Sequence, residues 1–103
     1  MEKVYKVLTP YFSERQQQAQ CNINEYVVVS KSYTITTSGI QSTFFKLDGE
    51  KNLVNSIYCY DKLPDALVEA RRRINAFITA YNNSPDGTKL SDFKIESEGS
   101  NER

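Results

Sequence analysis

The chain has 103 residues, of which 39% are hydrophobic, with 13 basic and 13 acidic residues, two cysteines and no histidine. A chain of this length forms one domain that buries roughly two-thirds of its unfolded surface, and its apolar fraction is too high for disorder throughout. Zero net charge excludes a global field that would draw in nucleic acid or an anionic membrane. The missing histidine removes the commonest general base and zinc ligand, and two distant cysteines make neither a disulfide framework nor a metal cage.

The opening MEKVYKVLTP breaks its apolar residues with charges, unlike a secretory leader, and no stretch approaches the length of a membrane span, so a cytoplasmic protein is expected. Residues 3–8 predict a first strand, stopped at Thr9-Pro10. Ser13 and Gln16 fit a capping box, which predicts a short helix near residues 13–20 in competition with a glutamine-rich loop. From Glu25, EYVVVSKSYTITT is rich in β-formers, Ser38-Gly39 suits a tight turn, and STFFKL follows as a second strand of a meander. Asp48-Gly49 signals a two-residue type I′ hairpin leading into LVNSIYCY. Asp61 then suits an N-cap and Pro64 a first helical turn. Beyond them Leu63, Ala66, Leu67, Ala70, Ile74, Phe77, Ile78 and Tyr81 recur at helical spacing, predicting an amphipathic helix of roughly twenty residues. KLSDFKI is expected to dock as a short segment through Leu90, Phe93 and Ile95. The expected fold class is thus α+β: an antiparallel β-meander of about four strands with one long C-terminal helix on one face. The domain is expected to span residues 1–95, with 96–103 as a disordered polar tail.

Arg71, Arg72 and Arg73 interrupt the helix. At about 100° per residue they fan around it, with Arg71 and Arg73 flanking the apolar stripe and Arg72 pointing away. Glu69 precedes Arg73 by one turn in the favourable acid-first order. Ordinary solvated trim is the first reading; an anion held by Arg71 or Arg73 is the second. Asp61, Asp65 and Glu69 lie in the helix's first half, where the dipole favours negative charge, and with no fourth ligand they do not suggest a metal. There is no phosphate loop and no serine–histidine pair, so no enzyme and no cofactor is expected.

Strand register is the most informative feature. A two-residue Asp48-Gly49 turn pairs Phe44 with Leu53 and Ile40 with Ile57, and a two-residue Ser38-Gly39 turn adds Tyr33 and Ile35, giving an apolar face with Cys59 for the helix to cover. The opposite face then carries Phe45, Leu47, Val54, Tyr58 and Tyr60, continued by Tyr26 and Val28. A wet face should alternate with polar residues, so a cover is expected. A homodimer comes first, then a protein partner of the kind a small inhibitor masks, in the style of a phage-type or mobile-element accessory protein. A small anionic, nucleotide-type ligand stacked on Tyr58 or Tyr60 and gripped by Arg71 or Arg73 comes next. Single-stranded nucleic acid ranks with it, because few cations interleave with the aromatics; the element order resembles the strands-plus-helix unit of Pur-type and Whirly proteins, and no motif accompanies that likeness.

Overall fold

The computed structural model describes residues 2–83 and 93–98. One helix packs against a curled, largely antiparallel sheet of seven strands, an α+β fold. The strands are β1 (Lys3–Val7), β2 (Tyr11–Ser13), β3 (Gln18–Ile35), β4 (Gln41–Leu47), β5 (Val54–Asn55), β6 (Cys59–Tyr60) and β7 (Phe93–Glu98); the helix α1 is Leu63–Asn82. The order is β5-β4-β3-β1-β6, with β2 and β7 also pairing β3. Everything is therefore built on β3, whose first half pairs β1 and whose second half pairs β4.

A bulge between Val28 and Ser30 breaks the alternation of β3. Before it, the odd residues Ala19, Cys21 and Ile23 are fully buried beneath the helix, where Ala66, Ala70 and Ile74 lie against them and Val7. The two alanines let the helix backbone approach the sheet closely, and Phe77, Ile78, Leu67 and Ile95 close the rim. After the bulge the sense inverts: Lys31 pairs with Phe45 and Tyr33 with Thr43, so these odd residues share the face of Val28 and Leu47, away from the helix.

That second face holds its own cluster, Val4, Phe45 and Leu47, ringed by Tyr26, Val28, Val54 and Cys59. Its cover is the sheet itself. β5 pairs β4 at one end of the sheet and β6 pairs β1 at the other, yet only the 3-10 turn Ser56–Tyr58 separates β5 from β6 in sequence. So short a link forces the two ends together and curls the sheet around Leu47.

Leu53, Ile57, Ile40, Tyr33 and Ile35, expected under the helix, are exposed, Ile57 by 70%. In the first hairpin Thr36 N–H donates to Ile40 O and Gly39 N–H to Thr36 O, with Gly39 at φ 86°. Thr36 thus faces Ile40 across three residues instead of two, and a one-residue slip sends every side chain to the other face. In the second, Gly49 has φ 87° but Asp48 does not reach positive φ, so the turn is not type I′. The next strand resumes only at Val54, pairing Phe44 with Asn55. The Asn55 side chain accepts from Ile57 N–H at 3.1 Å, starting the 3-10 turn that lifts Ile57 off the sheet.

Residues 13–20 form no helix: β2 ends at Ser13, residues 14–17 turn with Gln17 at φ 57°, and β3 begins. The expected Ser13–Gln16 contact is present, with Gln16 N–H donating to the hydroxyl at 3.3 Å, but it braces the four-residue turn that joins β2 to β3. The helix N-cap is Lys62, with no side-chain cap bond, in place of Asp61. β7 runs parallel to β3 from Phe93 and continues through Glu98, into the stretch expected as tail. Leu90 and residues 99–103 lie outside the described residues. Among the described residues, no helix is long and apolar enough to cross a membrane.

Candidate interaction site

Beyond the bulge, β3 and β4 leave the body as a hairpin arm. Every residue from Val29 to Gln41 is exposed, and Val29, Tyr33, Ile35 and Ile40 carry large apolar side chains there, Tyr33 at 60% and Ile35 at 71%. The Cα radius of gyration, 16.4 Å, exceeds the roughly 13 Å of a compact chain of this length, as a projecting arm requires.

A cleft of about 500 Å³ opens where the arm meets the body. Lys31, Tyr33 and Phe45 form its arm side; Tyr60, Asp61 and Asp65 form its body side, with Glu2 at the junction. Lys31 Nζ sits 2.8 Å from Glu2 Oε1 and 5.7 Å from the centre of the Phe45 ring. The hydrogen bond to Glu2 raises the lysine pKa. Charge in the cleft is therefore three carboxylates against one ammonium that is already paired.

The residues singled out from sequence separate into groups. Phe45 and Tyr60 both reach the cleft, Phe45 as a nearly buried wall and Tyr60 half-buried on β6, where it pairs with Tyr5 of β1. Tyr26 packs on the Phe45 cluster, its hydroxyl accepting from Asn24 Nδ2 at 3.2 Å, with Lys6 Nζ 5.7 Å from its ring centre. Tyr58 stands apart on the 3-10 turn, 59% exposed.

None of the arginines lines the cleft. Arg71 is exposed on the helix. Arg73 donates to Glu69 Oε2 at 2.6 Å and to the carbonyl of Val7 at 3.0 Å, strapping the helix to β1. Arg72 donates twice to Glu69, at 2.9 and 2.6 Å. These two guanidiniums pull the Glu69 pKa down to about 2. Glu69 is thus spoken for, and the Asp61–Asp65–Glu69 row is not a free carboxylate set. Both cysteines are free; burial raises the pKa of Cys21, whose Sγ lies 3.3 Å from Leu8 O, and of Cys59.

Sequence reasoning missed the arm. The signal was the unbroken run of β-formers through Thr37, longer than a single helix can cover, with Lys31, Tyr33 and Ile35 alternating against Ser30, Ser32 and Thr34. No protein-family model, curated protein or solved structure matches this chain.

Proposed function

We propose that this chain is a non-catalytic interaction protein that self-associates as a homodimer and acts by blocking or sequestering a macromolecular partner, with the hairpin arm as its contact element. One observation carries this reading: Val29, Tyr33, Ile35 and Ile40 hold large apolar side chains exposed on a two-stranded projection that no other described element covers. A two-stranded ribbon is marginal by itself in water, and apolar surface concentrated on one is a contact surface looking for a neighbour. Zero net charge removes the long-range repulsion that keeps like chains apart.

The charge pattern argues against the other candidates. An anion entering the cleft meets Glu2, Asp61 and Asp65, while Arg73 is committed to Glu69 and Val7. A nucleic-acid platform needs cations beside its rings for the phosphates, and the arm's single charge, Lys31, is tied to Glu2. Sedimentation equilibrium of the full chain over a wide concentration range tests the proposal. Self-association is expected, weakened by Ile35→Glu with the far-UV spectrum unchanged; a monomer at the highest soluble concentration refutes it.

A further inference from the structure

The two edges of the arm differ. One edge of β3 from Ser30 to Ile35 is taken by β4, but the edge on the β1 side is empty among the described residues, because the β1 ladder reaches Val27 and ends with Val28 N–H donating to Glu2 O. Since Thr36 N–H donates across to Ile40, alternation along the antiparallel ladder turns the amides of Thr34, Ser32 and Ser30 toward β4. Those of Lys31, Tyr33 and Ile35 point outward. The same three residues hold the side chains of the cleft face. Protein edges are usually blunted by proline, inward charge or coverage; this one has no proline and a single lysine at its inner end.

We infer that this open edge is the dimer seam, with the β3 arm of a second copy adding antiparallel to it about a two-fold axis through Tyr33. The inference rests on the homodimer reading and gives it a location and a register. A two-fold perpendicular to a sheet keeps each face on its own side, so opposed residues must have the same parity. Centring on Tyr33 sets Tyr33 against its own copy and Lys31 against Ile35 of the second chain. Each of these is a hydrogen-bonded pair, on the order of six new backbone bonds in all. The apolar strips of the two arms merge on one face beside both clefts.

The seam is small. Specific interfaces bury about 800 Å² per partner over 20–30 residues, roughly 30–40 Å² each, so the β3 residues that face it, Ser30 to Ile35, contribute about 200 Å² per protomer. A contact of that size is weak, and the dimer is expected to form only at high protein concentration.

The test compares two substitutions at one position. Tyr33→Thr removes the ring but keeps the outward amide; Tyr33→Pro removes the amide, which β4 does not use. With the second copy paired here, Tyr33→Pro dissociates at roughly tenfold or more higher concentration than Tyr33→Thr in sedimentation. Equal behaviour of the two variants in a chain that still dimerises overturns the seam and leaves the dimer reading standing, whereas a monomeric wild type overturns both. Because proline can disturb the hairpin, cross-linking gives a second readout. In a Cys59→Ser background, with Cys21 fully buried, Tyr33→Cys should oxidise readily to a covalent dimer, as an on-axis pair about 5.5 Å apart at Cα permits. Thr34→Cys, on the opposite face, should lag well behind. Equal rates at the two positions would overturn the register.

Discussion

Truncating Ile74 to alanine probes the packing of helix on sheet most sharply. Ile74 is fully buried between α1 and the Val7–Cys21–Ile23 surface. The substitution removes three carbon atoms, about 2.4 kcal/mol at about 0.8 kcal/mol per buried methylene. The neighbours are held by the β1–β3 ladder and collapse only in part, so the residual cavity brings the cost to about 3–4 kcal/mol. A domain of this size has about 5–15 kcal/mol in total, and a loss of that order lowers Tm by about 12–30 °C. Urea denaturation followed by far-UV circular dichroism, at a concentration where the chain is monomeric, gives the number directly. The control is Ile57→Ala, the same chemical change at a 70% exposed site on the 3-10 turn, expected within about 0.5 kcal/mol of wild type. A costly Ile57→Ala beside a tolerated Ile74→Ala would refute both the helix phase and the lifting of Ile57 from the sheet.

Other consequences follow from the same geometry. Leu47→Ala, inside the curl and away from the helix, should cost about 2–4 kcal/mol in the same assay, whereas a wet second face would make it cheap. Glu69 has a folded-state pKa lowered from 4.5 to about 2, so its stabilisation is full above about pH 5 and is lost as pH falls toward 2. Its guanidinium partners are partly exposed, and solvent screening limits the effect to about 1 kcal/mol; thermal melts of Glu69→Gln should show a shallower acid limb than wild type. Burial raises both cysteine pKa values, so in the native state at pH 8 Ellman's reagent should react slowly with half-buried Cys59 and scarcely at all with Cys21. Rapid modification of both would place Cys21 near the surface.

The helix was legible because twenty residues repeat one signal: apolar positions three and four apart fix its span and its buried face together, and Ile74 and the Glu69–Arg73 pair fell where that spacing put them. The strands were legible as segments. Their facing was not, since a strand's two faces differ by one residue of register. The Ser38-Gly39 loop was read one residue too short, which put Tyr33 and Ile35 on the wrong side, and the bulge at Val29 has no sequence mark because it lies inside an unbroken run of β-formers with no glycine or proline. The cleft was half visible: Phe45 and Tyr60 were named from the surplus of aromatics, but their cover comes from the curl imposed by the β5–β6 link, a property of the closed topology that no local pattern encodes. Arg73 was placed beside the stripe correctly, yet its partner, the Val7 carbonyl, comes from a strand 66 residues away in sequence.

Amide hydrogen exchange along β3, recorded on dilute and concentrated samples, addresses the central claim most directly. Edge pairing predicts that the amides of Ser32 and Thr34, already bonded to β4, are protected at both concentrations, while those of Lys31, Tyr33 and Ile35 exchange freely when dilute and become protected when concentrated. Free exchange of Lys31, Tyr33 and Ile35 at every concentration, in a sample that sedimentation shows to be dimeric, would contradict it.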